Sequence, residues 1–168
     1  MTLVELPFGL PGRVFRSPLP FSDFDPAGQL FSQFQGQGIG AVVLLLDDEH
    51  CLERSGRDLR QLYQDSGMQV IHLPIPDFGV PDLQDLEEAV QSALDTASQG
   101  TNLVVHCYAG LGRTGTFLAC LAEQALGLPA GEAIRWVRTY LPQAIETDGQ
   151  IQLIRSFQEG HSNVDHER

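Results

Sequence analysis

Lysine is missing from this sequence. Its 10 basic residues are all arginine, set against 22 aspartates and glutamates, and the formal net charge is −12. Without lysine there is no Walker-type nucleotide loop, which places a Lys on the β/γ-phosphates. Schiff-base catalysis, which needs a lysine amine, is excluded as well. The acidic balance lacks the basic footprint of a nucleic-acid binder and leaves nothing for a polybasic membrane anchor, so neither partner is expected. Cysteine is sparse: three residues do not make a disulfide framework and suit a reducing compartment, so a cytoplasmic location is expected. Long apolar runs are lacking too. The longest, Ala41–Leu46, falls far short of the roughly 20 residues that span a bilayer. Met1–Leu10 carries Glu5 and Pro7 and no basic stretch, unlike a secretory signal.

What is present is a chain of 168 residues with 42% hydrophobic content, enough for one packed domain. A core over about residues 12–159 and a loose polar tail over 160–168 are expected. Val14-Phe15 reads as a short strand. Asp25-Pro26 offers an N-cap and first helical residue for a helix to about Phe34. Ala41–Leu46 is a buried strand whose continuous apolar run suits a parallel sheet covered on both faces. Asp47–His50 reads as a polar loop, followed by a helix from Leu52 to near Gly67. Gln69–Ile75 is a second strand, with Pro74 and Pro76 breaking it, and Leu83–Ser98 is a helix with acids at its N-terminus. Asn102–His106 is a third buried strand. Helices follow at Thr114–Leu126, Ala130–Leu141 and Gln150–Gln158. This alternation predicts an α/β fold with a mostly parallel central sheet of about 4–5 strands flanked by helices. In such folds the site lies beyond the C-terminal strand ends. That selects the loops Asp47–His50, Asp77–Asp82 and Cys107–Thr114.

Gly110-Leu-Gly112-Arg-Thr-Gly115 is literally G-x-G-x-x-G after a strand and before a helix. A dinucleotide site would need a further strand ending in a ribose-binding acid; the chain continues in helices instead, and that reading gives Cys107 and Arg113 no work. A second reading uses every residue. Cys107, five residues, then Arg113 can form an anion nest, with inward N–H groups, Gly110 and Gly112 supplying the backbone freedom, and the following helix pointing its positive end at the same place. Arg113 closes the ring with a planar fork for two phosphate oxygens. Tyr108, Ala109, Gly110, Leu111 and Gly112 then become the substrate-binding loop. Cys107 lies at its base, where helix termini and cations can bring a thiol to a pKa of roughly 3.5–7.5 and make it a nucleophile.

A thiolate that attacks phosphorus needs an acid for the departing oxygen. Asp77, between Pro76 and the Gly79–Pro81 turn, hangs from a strand end over the same edge. Asp82 is its rival, but helix N-capping accounts for it. Phe78 on the same lid is placed to flank a phenyl ring. Asp47–His50 reads as a solvated loop, with a carboxylate bracing Arg113 as the alternative; no metal site is assigned. Cys51 is the one candidate partner for an oxidised Cys107, while Cys120, Trp136 and Tyr140 read as packing residues.

His106-Cys-x5-Arg113-Thr114 resembles the signature of the cysteine-based protein tyrosine phosphatase superfamily. Ile75-Pro-Asp-Phe-Gly-Val-Pro81 resembles its mobile acid loop, with Ile75 where tyrosine-specific members commonly have Trp. Within that superfamily the chain resembles the small dual-specificity type, in particular the kinase-associated (cyclin-dependent kinase inhibitor 3) phosphatases. The similarity includes Gln61–Gly67, His72–Asp82, His106–Arg113 and Ala144-Ile-Glu-Thr147 with Gln150, and spans about Gly40 to Phe157. The resemblance implies that Cys107 is the nucleophile, forming a phosphocysteine, that Arg113 binds the phosphoryl oxygens, and that Asp77 acts as acid and then base. It implies that Thr114 donates its hydroxyl to Cys107, that His106 orients the loop and helps depress the thiol pKa, and that Gln150 positions water, with Gln152 nearby as an alternative. No cofactor is implied. The substrate implied is a phosphoprotein carrying phosphotyrosine, with phosphoserine and phosphothreonine as further options. RNA 5′-triphosphates and phosphoinositides are rival substrates of the same chemistry, disfavoured by the absence of lysine from the loop. A redox or arsenate-reducing enzyme and a non-catalytic phosphopeptide-binding module are rival classes.

Overall fold

The computed structural model describes residues 2–166. In chain order the elements are β1 (Val4–Leu6), β2 (Val14–Ser17), α1 (Leu30–Gly36), β3 (Ile39–Leu44), α2 (Asp48–Ser55), α3 (Leu59–Asp65), β4 (Gln69–His72), α4 (Leu83–Ser98), β5 (Asn102–His106), α5 (Gly112–Leu126), α6 (Ala130–Tyr140) and α7 (Asp148–His166). The strands form one sheet in the order β1-β2-β5-β3-β4. β1 runs antiparallel to β2, and the remaining pairs are parallel. The expected mostly parallel α/β sheet is therefore present.

Period-two alternation divides the core between the two faces of the sheet. Phe15, Val42, Leu44, Leu46 and Val104 face α1, α2 and α3, where they meet Phe34, Leu59 and Tyr63. Val43, Leu45, Ile71, Val105 and Cys107 face the other layer, built from α4, α5, α6 and α7. Both faces are covered, so the inner parts of β3 (Ala41–Leu44) and β5 (Leu103–Val105) read as continuous apolar runs. α5 is buried on nearly every side, from Gly112 through Glu123. Its small residues Ala119 and Ala122 let neighbouring helices approach, and each large side chain it buries, such as Leu118, contributes roughly 1.5–3 kcal/mol over exposure.

Local differences from the sequence reading have local causes. Asp25 does accept backbone N–H groups, from Phe21, Gln29 and Leu30, but α1 starts at Leu30. Gly28, at φ +65°, turns the chain before the helix can begin. Asp47–His50 is a helix start rather than a loop: Asp47 accepts the N–H of His50 as N-cap of α2. The helix expected over 52–67 is two helices, divided at Gly56 (φ +72°), with Asp58 capping the second. β4 stops at His72, yet the N–H groups of Leu73 and Ile75 still bond to Leu44 and Leu45, so the chain follows β3 to the acid loop. Packing begins before residue 12, because Leu6 and Phe8 are buried in the α4–α7 core. α7 starts at Asp148 and continues through the stretch expected to be loose, as far as His166; the rest of the expected tail, residues 167–168, lies outside the described residues. After α5 only helices follow, so the strand a dinucleotide site requires does not occur among the described residues.

Candidate active site

The pleat of β5 sends Cys107 and His106 to opposite sides of the sheet, Cys107 toward α5 and His106 toward α1 and α3. Cys107 is buried, and two donors converge on its Sγ. The Gly110 N–H lies at 3.3 Å and the Thr114 hydroxyl at 3.1 Å. Gly110 adopts φ +78°, a left-handed conformation that glycine takes without steric cost. At Gly112 a Cβ would lie 2.6 Å from Glu146 Oε1 and 3.2 Å from Gln150 Nε2, so both side-chain ends sit close against the loop there. Leu111 occupies the N-cap of α5 and offers no side-chain cap. The positive end of a 15-residue helix is thus presented at the loop.

Arg113, on the first turn of α5, is 6% exposed. One Nη donates to the Ile75 carbonyl at 3.1 Å and the other lies 3.4 Å from Asp77 Oδ1. The loop after β4 is therefore tied to the Cys107–Arg113 loop by the Arg113 guanidinium. Gly79 N–H bonds to Pro76 O at 2.8 Å and closes the turn that carries Asp77 and Phe78. Phe78 is 61% exposed and holds φ +58°, an uncommon conformation for a bulky side chain, of the kind found at functional turns. Asp82 caps α4, accepting the N–H groups of Gln84 and Asp85.

A pocket of about 160 Å³ joins these groups. Of the residues expected there, Asp77, Phe78, Cys107, Tyr108, Ala109, Gly112, Arg113 and Gln150 line it. Gly110 and Leu111 do not. Gly110 turns its N–H to the sulfur and its carbonyl outward, and the Leu111 carbonyl is taken by Gly115 and Ile145 as the chain enters α5. Tyr108 forms one wall, held by an edge-on contact with Phe24 at 4.9 Å and by the Arg54 guanidinium 5.0 Å above its ring. Gln150, not the exposed Gln152, reaches the site. Its Oε1 accepts the N–H groups of Glu146 and Thr147, which directs its amide nitrogen toward Gly112.

His106 is fully enclosed, and burial pushes its pKa down to about 4. Its Nδ1 faces the Cys107 carbonyl at 3.3 Å and its Nε2 the Tyr63 hydroxyl at 2.8 Å. Burial raises the Tyr63 phenol well above its ordinary value. The phenol therefore donates to Nε2, and Nδ1–H donates to the carbonyl. A neutral His106 is thereby held between the Tyr63 hydroxyl and the backbone of the Cys107 loop. Cys51 lies in the core on the opposite sheet face from Cys107, its thiol pushed up to about 12 by burial and the nearby acids. That placement removes the sequence argument for pairing the two. Asp47 bonds His50 and Asp48 pairs with Arg60, so neither braces Arg113.

Three residues near the site carried no assigned role in the sequence reading. Tyr63 fixes His106, Glu146 lines the pocket, and Arg16 bonds the outer side of the loop. For Arg16 a signal existed: a charged residue in the short apolar strand Val14–Ser17, where burial demands partners.

Comparisons with known proteins place the chain in a family and match its fold. The family described as "Tc-R-P: Polymorphic toxin system, DSP-PTPase phosphatase" matches residues 21–125. The protein tyrosine phosphatase domain-containing protein 1 of Mus musculus is 32% identical over 146 residues, covering 82% of this chain and 19% of that protein. The chain thus spans about a fifth of the length of that relative. The structure of kinase associated phosphatase, with serine in place of its catalytic-site cysteine, superposes with a TM-score of 0.86 over 96% of each chain at 21% identity. PTPMT1 in complex with PI(5)P gives a TM-score of 0.77 at 19% identity, over 90% of this chain and 94% of that one. The family match takes in Asp77, Cys107 and Arg113, and the chain belongs to that DSP-PTPase phosphatase family.

Proposed function

We propose that this enzyme hydrolyses phosphotyrosine, and phosphoserine and phosphothreonine, on protein substrates through a phosphocysteine intermediate. The observation that carries the chemistry is the Cys107 sulfur receiving both the Gly110 N–H and the Thr114 O–H in the pocket that Arg113 also lines. In the first step the thiolate attacks phosphorus, an S–P bond forms, and the P–O bond to the substrate breaks. Asp77 gives its proton to the departing oxygen, and Arg113 with the loop N–H groups holds the equatorial oxygens as charge redistributes. In the second step water held by Gln150 attacks phosphorus, Asp77 takes its proton, and the S–P bond breaks. Thr114 donates to the sulfur as it leaves with the electron pair.

Preference for a phosphoamino acid over a polyanion rests on the pocket wall. Glu146 contributes a carboxylate there, the loop offers no lysine, and the net charge of −12 disfavours approach of a highly charged substrate. A reducing compartment, the cytoplasm, suits a free nucleophilic thiol.

The test compares p-nitrophenyl phosphate, phosphotyrosine and phosphothreonine peptides, a short-chain phosphoinositide and triphosphorylated RNA at fixed salt. Wild type and Cys107→Ser are assayed with and without chelator. Hydrolysis of the peptides with kcat/KM at least tenfold above the lipid and RNA, abolished in Cys107→Ser and indifferent to chelator, is expected. Undiminished turnover by Cys107→Ser would overturn the mechanism, and preference for the lipid or RNA would overturn the substrate.

A further inference from the structure

Arg16 is a cation sealed into the sheet. It lies in β2, is 1% exposed, and stands opposite Val105, while Ser17 stands opposite His106. The parallel pairing of β2 with β5 therefore brings its side chain to the outer side of the Cys107–Arg113 loop. There Nη2 donates to the Ala109 carbonyl at 3.2 Å and Nε to the Gly110 carbonyl at 3.1 Å, while Nη1 bonds the Thr2 carbonyl at 3.0 Å. Taking a guanidinium out of water costs several kcal/mol, and an arrangement that holds it against carbonyls makes sense where the charge is used. Burial lowers its pKa, while the charge of Cys107 works in the opposite direction.

The two accepted carbonyls belong to adjacent planar peptide units. In a trans peptide the C=O and N–H point in opposite directions. The Ala109 carbonyl shares its plane with the Gly110 N–H, which donates to Cys107 Sγ at 3.3 Å. One peptide group thus stands directly between the Arg16 guanidinium and the catalytic sulfur, with hydrogen bonds at both ends that polarise each other. By the same geometry, the bond from Arg16 Nε to the Gly110 carbonyl sends the Leu111 N–H to the inner side of the loop. Gly110 is what permits the approach: a Cβ there would lie 2.7 Å from Arg16 Nη2 and 2.5 Å from the Ser17 carbonyl.

We infer that Arg16 is a positioning residue for the phosphatase reaction. It holds the Ala109–Gly110 and Gly110–Leu111 peptide planes with their N–H groups turned toward the sulfur and the bound oxyanion. The inference rests on the phosphatase reading, and its ligand is the phosphoryl group or a tetrahedral oxyanion that resembles it.

Arg16→Lys and Arg16→Met separate charge from fork. Lysine keeps the charge but cannot span two carbonyls as a planar fork; methionine keeps the stem alone. For each, tungstate affinity is measured by calorimetry, kcat and KM with p-nitrophenyl phosphate, and folding by thermal melting. Hydrogen exchange of the Gly110 and Leu111 amides is followed by NMR. Per folded molecule, Arg16→Met is expected to lose tenfold or more in both tungstate affinity and kcat/KM, with faster exchange at those two amides, and Arg16→Lys to recover part of the loss. A purely structural Arg16 would lower the melting temperature and leave the tungstate affinity of the folded protein unchanged. If Arg16→Met does not fold, Arg16→Lys alone decides. Tungstate affinity and kcat/KM within twofold of wild type in a folded variant would overturn the inference. Failure of the wild type itself to hydrolyse p-nitrophenyl phosphate would overturn the phosphatase reading instead, and the tungstate and exchange measurements would still judge Arg16.

Discussion

The Asp77 carboxylate stands 3.4 Å from the Arg113 guanidinium, so the loop after β4 and the Cys107–Arg113 loop meet through one side-chain pair. Asp82, five residues on, spends its carboxylate on the first turn of α4. The two acids should therefore separate cleanly. Asp77→Asn is expected to lower kcat by roughly 10²–10⁴-fold, more for a phosphotyrosine peptide than for p-nitrophenyl phosphate, whose leaving group needs less protonation. Asp82→Ala is expected to cost about 1 kcal/mol of stability as a lost cap, with kcat/KM unchanged. Steady-state kinetics and urea unfolding of both variants check this. Crippled turnover in Asp82→Ala with a normal Asp77→Asn would reverse the assignment.

Thr114 lies 3.1 Å from the sulfur, in the first turn of the helix whose N-terminus faces the loop. Its hydroxyl matters most when the thiolate is the leaving group. A hydrogen bond to a charged group contributes about 1.5–3 kcal/mol, which corresponds to a slowing of roughly 10–100-fold in the second step. Thr114→Ala should release its first equivalent of p-nitrophenol in a burst and then turn over slowly, while Thr114→Ser restores the rate. Rapid-quench kinetics resolve the two phases; a slowed burst with an unaffected steady state would place the residue in the first step instead.

The parts of this site that the sequence displays are those whose geometry is local or follows from topology. Cys107, five loop residues and Arg113 form one short closure, and β5 and α4 fall at the residues their periodicity marks. Asp77 is legible because parallel strands share a C-terminal edge. The residues left without roles are brought in by long-range pairing. Arg16 reaches a carbonyl 94 positions away through the β2–β5 register, and Tyr63 meets His106 across 43 positions. Neither distance is encoded in a spacing. Asp47–His50 misleads for another reason: four polar residues after a buried strand read equally as a loop and as the capped first turn of a short helix.

Tyr63 and His106 also make stability depend on acid. His106 titrates at about 4 in the folded protein, against an ordinary 6.5. The folded state thus resists protonation that the unfolded chain accepts. The stabilisation is complete above pH 6.5 and is lost as pH falls from there toward 4. Tyr63→Phe leaves Nε2 buried without its donor and should cost roughly 1–3 kcal/mol at neutral pH. Replacing His106 by phenylalanine should flatten the acid limb. Urea unfolding of wild type and both variants at several pH values from neutral down to the acid limb measures this, and an unchanged slope in the phenylalanine variant would assign the acid sensitivity to other groups.

Glu123 produces a dependence of opposite sign. It sits in α5, 9% exposed, and neither carboxylate oxygen has a hydrogen-bond partner among the described residues. Burial raises its pKa from 4.5 to about 8, so the folded state keeps a proton that the unfolded chain has already released. The contribution is fully present below pH 4.5 and is lost as pH rises through about 8. At alkaline pH the alternatives are a buried unpaired charge or local opening of the α5 packing. Glu123→Gln keeps the shape and removes the ionisation. It is expected to gain roughly 1–3 kcal/mol over wild type on the alkaline side and to show little gain on the acid side. His106 is common to both proteins and cancels in the difference. A Glu123→Gln gain that did not grow with pH would mean that the carboxylate is compensated in solution, and the alkaline loss would then belong to another group.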